Sequence, residues 1–186
     1  LGYKEKSKLT GSIEIACLLY LLAERSKDKV KTIVMLEKNT ILPPASGQGG
    51  ITLLISYLEQ LGVLNEKGKP NINFDYSIRG EEKKRLAILK SFIAKNKEVV
   101  FLSDFSELSD YETINKLIYR QNMHCFKISS PVDEALNTPF AIYGKQKNKG
   151  KLFRAKSNKK TELLKGRWKK IDVSERFLEK FVKEML

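Results

Sequence analysis

The sequence is poor in the residues that enzymes most often use for proton transfer and metal binding. Its 186 residues include one histidine, His124, and two cysteines, Cys17 and Cys125. His124 has only Cys125 beside it, and neighbouring side chains on an extended segment point to opposite faces, so the pair does not predict a metal site. A single histidine also excludes most acid–base pairs. We therefore expect no catalytic residues, no metal and no cofactor.

Long apolar runs are lacking as well. The longest, residues 13–23, is interrupted by Glu14 and is too short to cross a bilayer. No charged leader with an apolar core precedes it. The two cysteines lie far apart in sequence, which favours reduced thiols over a disulfide. We expect a globular protein with no membrane partner, located in the cytoplasm and associated with the nucleoid.

Acidic residues are scarce where basic residues are most frequent. Between Lys145 and Lys170 there are twelve Lys or Arg residues and one acid, Glu162, so this segment supplies eleven of the thirteen net positive charges. Such a density of cations repels itself unless a polyanion neutralises it, and counterion release then contributes to affinity. Phe153 and Trp168 interrupt the segment, so it is not a plain disordered tail. Nucleic acid is the expected partner, and the alternative is a solvated basic face.

The apolar pattern predicts a similar order of elements in each half of the chain. In the first half, Ser12 is the expected N-cap of a helix, residues 32–36 are a strand or a short helix, and residues 51–61 are a second helix. Residues 63–64 and 72–74 predict a small hairpin. In the second half, the pattern predicts helices over 81–95, 103–108 and 111–121, a strand over 99–102, a hairpin of 126–129 with 140–143, and a last amphipathic helix over 175–186.

Two segments resemble a known family. The segment from Phe101 to Arg120, followed by Lys127, Ile128 and the strand at Tyr143, resembles the winged helix-turn-helix of transcriptional regulators and abortive-infection-type antitoxins. Residues 50–62 resemble a regulator's recognition helix, which ends in Leu-Glu-Gln-Leu-Gly-Val-Leu and runs into the wing. The sequence departs from the family at residues 121–124, where a glycine-rich turn is usual. Plasmid replication initiators and adaptor subunits of chromosome-condensing ATPases also have tandem winged helices.

The expected fold is mainly α with small β wings, that is, two winged-helix units and a basic C-terminal extension. The expected domains are residues 1–78, 79–150 and 151–186. The expected partner is double-stranded DNA, and a protein partner or a homodimer is left open.

In a winged helix, the exposed face of one helix enters the major groove, which is about 12 Å wide. Asn115 could form a bidentate pair with adenine and Arg120 with guanine. The cations beyond the helix would contact phosphates. The alternative is a surface helix of a packing module. The expected DNA-binding residues are Tyr111, Thr113, Asn115, Lys116, Tyr119, Arg120, Lys145, Lys147, Lys149, Lys151 and Arg154.

The sequence therefore predicts non-catalytic, sequence-directed DNA binding. Two alternatives are the DNA-recognition part of a restriction or replication-initiation assembly, and an adaptor that binds nucleic acid nonspecifically. A nuclease is a lesser alternative, because Asp75, Glu82 and Lys84 follow the residue order of metal-dependent restriction-type nucleases. Residues 81–85 instead predict a helix start, where acids suit the helix dipole.

Overall fold

The computed structural model describes residues 2–3, 6–36, 39–71, 73–75, 81–106, 108–120, 122–130, 133, 141–146, 149–154, 167–174 and 176–185, with the backbone alone for 2–3, 6, 141–146 and 149–154. The described helices are α1 (Lys8–Ser26), α2 (Gly47–Gln60), α3 (Glu82–Lys95), α4 (Tyr111–Ile118) and α5 (Phe177–Met185). The described strands are β1 (Gly2–Tyr3), β2 (Lys6–Ser7), β3 (Ile33–Met35), β4 (Asn39–Ile41), β5 (Val99–Ser103), β6 (Met123–Ser129), β7 (Ala141–Gln146), β8 (Lys149–Arg154) and β9 (Trp168–Asp172).

A three-stranded parallel sheet, in the order β5-β6-β9, organises the C-terminal half. Val99 to Ser103 pair with Met123 to Lys127, and Cys125 to Ser129 pair with Trp168 to Asp172. Parallel neighbours need a crossover connection, and α4 lies in the connection from β5 to β6. The connection from β6 to β9 contains the antiparallel pair β7 and β8. Strands β1 and β2 form a further antiparallel pair, as do β3 and β4.

Helices cover both faces of the parallel sheet. On one face, α3 and α4 bury apolar side chains such as Ile93 and Ile114 in a cluster with Cys125 of β6. On the other face, Phe126 of β6 packs with Ile15 of α1 and with Phe181 of α5, whose ring lies 4.9 Å from that of Phe126. Alternate residues of β6 therefore enter two different cores, as expected for a parallel strand that is buried on both sides.

Helix α1 belongs to two cores at once. Ile15 faces the parallel sheet, whereas Tyr20 is buried in a third cluster with Leu54 and Leu58 of α2. The hydroxyl groups of Tyr20 and Thr32 are 2.6 Å apart and share a hydrogen bond. The first part of the chain is thus packed onto the sheet through α1. None of the described helices is both long and apolar enough to cross a membrane.

The prediction of two winged-helix units is wrong, because the fold is α+β around a parallel sheet. The predicted hairpin of 126–129 with 140–143 is wrong for the described residues 141–143, because 126–129 belong to β6, which lies between two parallel partners. Residue 140 lies outside the described residues. Strand β7 pairs with β8 instead. An apolar run of this length fits a wing strand as well as a buried parallel strand, since both are short and β-branched or aromatic. Strand β9, which decides the topology, lies within the basic segment. Its lysines made this stretch resemble a charged surface and not a strand of the sheet.

The predictions of individual helices, caps and hairpins were right in part. The helices expected over 51–61 and 81–95 are confirmed as α2 and α3, and the last amphipathic helix is confirmed as α5. The N-cap of α1 is Ser7, whose hydroxyl accepts a hydrogen bond from the Thr10 amide, so Ser12 lies inside the helix. The expected hairpin after α2 is a single bridge between Leu64 and Pro70. The domain boundaries at residues 78 and 150 stay a prediction.

We predict that replacing Gly50 with Ala destabilises the protein, whereas replacing Gly49 with Ala does not. A Cβ atom on Gly50 would overlap the ring of Tyr20, while one on Gly49 would meet open space. Overpacking costs typically about 1 to 3 kcal/mol, and Gly to Ala in an open helical position gains about 0.5 to 1 kcal/mol. Urea unfolding of the two variants measures the difference, and equal free energies of unfolding would contradict this packing of α1 on α2.

Candidate nucleic-acid interface

Strands β7 and β8 form a hairpin with cations on both strands. The register places Lys145 opposite Gly150, Lys151 opposite Gly144, and Lys149 opposite Gln146. Arg154 ends β8, and Lys147 lies outside the described residues. Six residues of strand span about 20 Å, a length over which one DNA strand carries about six phosphates. The hairpin therefore has the length and the charge to follow a phosphate backbone.

Strand β9 continues the basic segment on the edge of the parallel sheet. Arg167, Lys169 and Lys170 are exposed. The Lys169 ammonium lies 3.1 Å from the Glu184 carboxylate of α5, which places it on the sheet face that α5 covers. Lys170, one residue further along the strand, lies on the opposite face. The remaining cations expected in this segment, Lys156, Lys159, Lys160 and Lys165, lie outside the described residues.

Helix α4 packs against the parallel sheet rather than standing free as a recognition helix. Its Ile114, Leu117 and Ile118 are buried, and Lys116 donates to Glu112 at 2.6 Å on the exposed side. Tyr119 is exposed, Arg120, Tyr111 and Thr113 are half-buried, and the Thr113 amide is bonded to the Asp110 cap.

The amide oxygen of Asn115 is buried within the protein. A bidentate contact with adenine uses that oxygen as an acceptor. Base reading by Asn115 and Arg120 stays a prediction, but it no longer has the winged-helix geometry on which it rested.

A charged cluster lies where the carboxyl ends of the parallel strands meet, which is where open α/β sheets commonly bind ligands. The Lys8 ammonium, at the start of α1, is 2.9 Å from Asp104 and 3.3 Å from Asp133. Asp104 directly follows β5, and Asp133 accepts a hydrogen bond from the amide of Ser130, which follows β6. Residues far apart in sequence thus hold the start of α1 onto this edge of the sheet.

The turn after β5 fixes the position of Asp104. Phe105 is fully buried and has a φ of 60°, a conformation that residues other than glycine rarely adopt. Its amide donates to the Ser103 hydroxyl at 3.0 Å. Because the buried ring of Phe105 anchors this turn, the Asp104 carboxylate is held toward Lys8.

The pKa values in the cluster follow from burial and from neighbouring charges. Burial alone would lower the pKa of Lys8, but the charge and the hydrogen bond of Asp104, together with Asp133, outweigh it and raise the pKa. Burial alone would raise the pKa of Asp104, but Lys8 and hydrogen bonds from Ser106 outweigh it and lower the pKa. Both shifts favour the ion pair over its neutral form.

Lys127 stands beside this cluster in the middle of the sheet. It is half-buried, its backbone is the register partner of Lys170, and its ammonium lies 5.4 Å from the centre of the Trp168 ring. Burial lowers the pKa of Lys127, and the positive charges of Lys170 and Lys8 lower it further against the opposing effects of Asp133 and Asp104. The environment of Lys127 therefore disfavours the charged form of its side chain.

Sequence reasoning missed Lys8, Asp104, Lys127 and Asp133 as neighbours. Asp104 was expected at a helix start, because residues 103–108 were expected to be helical; Ser103 ends β5 and Asp104 follows it in a loop. The signal that could have found the cluster is the order strand, helix, strand over residues 99–129. That order is typical of a parallel crossover, in which polar residues after successive strands meet at one edge.

The other candidates from sequence have structural roles. His124 and Cys125 are consecutive in β6, and burial raises the pKa of Cys125 to about 12. Within the described ranges, no group of three or more His, Cys, Asp or Glu side chains could hold a metal ion. The Glu82 carboxylate accepts hydrogen bonds from the amides of Ser109 and Asp110 at the start of α4. Glu82 thus lies on a helix and caps a turn, as a structural residue would.

Comparisons with known proteins give no relative from which a role could be inferred. No family model, no curated protein and no solved structure matches this chain. Functional inference therefore rests on the charges and the geometry described above.

We predict that Asp104→Asn lowers the free energy of unfolding by about 1 to 3 kcal/mol at neutral pH, since it leaves Lys8 with one partner fewer. The pKa of Asp104 is lower in the folded chain than the usual value of 3.8. Its contribution is therefore full above that pH and is lost as the pH falls through the folded pKa. The difference between variant and native protein should accordingly shrink in acid.

Glu112→Gln is the matched control, because it also removes one carboxylate from a lysine. Lys116 and Glu112 are 73% and 80% exposed, against 18% and 32% for Lys8 and Asp104. An exposed helical pair contributes only about 0.3 to 0.5 kcal/mol. Urea unfolding at several pH values measures both variants, and a loss for Asp104→Asn that is independent of pH would contradict the ion pair.

Proposed function

We propose that this protein binds nucleic acid, double-stranded DNA in the first place, through contacts of its basic segment, residues 145–170, with phosphates. The observation that supports the proposal is the concentration of positive charge on one hairpin and on the edge strand β9, which follows it in sequence. The segment supplies eleven of the thirteen net charges, and its described part forms β7, β8 and β9. The proposal places the protein on the nucleoid, in the cytoplasm.

The arrangement of cations in the basic segment favours contact with the phosphate backbone of nucleic acid over the reading of bases. Lysine and arginine on an extended hairpin can follow phosphates, which carry no sequence information. Affinity from such contacts comes mainly from the release of condensed counterions, so it depends strongly on salt. The described helix that was expected to read bases, α4, uses its apolar side to cover the sheet. We therefore propose binding that depends weakly on DNA sequence, which also agrees with the adaptor alternative.

We predict a steep salt dependence of binding. Six phosphate contacts give a slope near −5 in the logarithm of the affinity against the logarithm of salt concentration. Replacing Lys145, Lys147, Lys149 and Lys151 together with Gln should flatten that slope by about three to four units, since each lost contact removes about one. Fluorescence anisotropy of a labelled 20-base-pair duplex, titrated at several salt concentrations, measures the slope.

The matched control is a second quadruple variant that removes the same net charge elsewhere. Lys29, Lys31, Lys67 and Lys69 are exposed and lie far from the basic segment in sequence. Their replacement with Gln should leave the slope nearly unchanged. If both quadruple variants flatten it equally, overall charge and not the basic segment governs binding. If the native protein does not bind the duplex at all, the proposed function is wrong.

A further inference from the structure

The hairpin of β7 and β8 changes in composition halfway along its length. The proximal half is mostly apolar or aromatic, with residues 141–143 of β7 opposite residues 152–154 of β8. The distal half, residues 144–146 opposite 149–151, consists of three lysines, two glycines and one glutamine. No Asp or Glu occurs between Glu134 and Glu162, so the sequence places no acid near this half. The hairpin therefore has a cationic tip on an apolar base.

The lysines of the distal half lie on both faces of the hairpin. Residues directly opposite each other in an antiparallel pair share a face, and successive residues of a strand alternate between faces. Lys145 thus belongs to one face, while Lys149 and Lys151 belong to the other. A hairpin that lies flat along one phosphate backbone contacts it with one face only. Lysines on both faces instead fit a partner that borders the hairpin on two sides.

Each face also has a glycine beside a lysine. Gly150 is opposite Lys145, and Gly144 is opposite Lys151. A glycine inside a strand marks a bulge, a bend or a place where another backbone approaches closely. The six register pairs follow one another without interruption, so neither glycine marks a bulge. Bare strand backbone next to a lysine allows a phosphate to approach closely on each face.

The dimensions of the distal half match the major groove of duplex DNA. Three residues of antiparallel strand span about 10 Å, and the groove is about 8.5 Å deep. A sheet with its side chains occupies about 10 Å from face to face, and the groove is about 12 Å wide. Phosphate backbones, which carry the negative charge of the duplex, border the groove on both sides. The minor groove, about 6 Å wide, is too narrow for a hairpin with residues on both faces.

We propose that the distal half of the hairpin enters the major groove of duplex DNA. Lys145 contacts the phosphates of one wall, and Lys149 and Lys151 contact those of the other. Among the described elements, β7 and β8 pack extensively only with each other, as a hairpin that enters a groove requires. This inference rests on the proposed function and deepens it, because it names the surface of the duplex that the basic segment recognises.

A duplex with a filled major groove tests the inference on the native protein. The C5 position of pyrimidines lies in that groove, so cytosines with a glucosylated 5-hydroxymethyl group fill it while the phosphates stay unchanged. Fluorescence anisotropy should show binding at least about tenfold weaker than to the unmodified duplex, since several lysine–phosphate contacts are lost. Equal affinity for the two duplexes would overturn groove insertion and leave the proposed function standing. Absence of binding to either duplex would overturn the proposed function, and this inference with it.

Two single variants test the two faces separately. Lys145→Gln and Lys149→Gln remove one cation each from opposite faces, so each should weaken binding about three- to tenfold and flatten the salt slope by about one unit. Lys69→Gln, at an exposed lysine outside the basic segment, is the matched control and should change neither quantity. A loss for one face alone would show that the hairpin lies flat on the duplex, which overturns groove insertion.

Gly150→Val tests the close approach without a change of charge. A β-branched residue suits a strand but fills the bare backbone beside Lys145. Binding should weaken at least about threefold, because a phosphate contact is displaced. Ala141→Val, on the same face in the proximal half, should leave binding nearly unchanged. Equal affinities of the two valine variants would overturn the close approach. Circular dichroism verifies folding, and the comparison of the two duplexes decides if Gly150→Val does not fold.

Discussion

Burial of β6 on both of its faces is the constraint on which the rest of this structure depends. Cys125 enters the core under α3 and α4, while Phe126 and Ile128 enter the core under α1 and α5. A strand in that position needs hydrogen-bonding partners on both edges and apolar cover on both faces. Strands β5 and β9 provide the hydrogen-bonding partners. Helices from the beginning, middle and end of the chain provide the apolar cover. The sheet therefore ties distant parts of the sequence together.

The same constraint explains the ion pairs at the edge of the sheet. Once α1 lies on the face formed by Phe126 and Ile128, its first residue, Lys8, comes to the carboxyl ends of β5 and β6, where Asp104 and Asp133 lie. A cation with an exposed fraction of 18% needs compensation, since burial disfavours its charge. The two carboxylates supply it. The cluster therefore has a structural reason to exist.

Sequence patterns could predict most of the helices, but not the way the strands pair. The periodicity of Leu86, Leu89 and Ile93 identifies α3, and that of Phe177 and Phe181 identifies α5, because one face of each must be apolar. A short apolar run such as residues 126–129 does not reveal whether its partner is parallel or antiparallel. Strand β9, with one buried apolar residue between Lys169, Lys170 and Asp172, looks like part of a charged surface. The basic segment was visible from composition, but its neighbours on the sheet were not, since Lys8 and Lys127 meet only through the tertiary fold.

A lysine in a central parallel strand is a local conflict with the fold, and such conflicts tend to mark function. Lys127 is half-buried on the same face as Cys125, and burial together with the charge of Lys170 lowers its pKa. Lys169 lies on the opposite face of β9, where its ammonium is 3.1 Å from the Glu184 carboxylate. On the other face of β9, beside Trp168, Lys170 is the register partner of Lys127. The connection that carries the basic hairpin begins at the end of β6, the strand that holds Lys127.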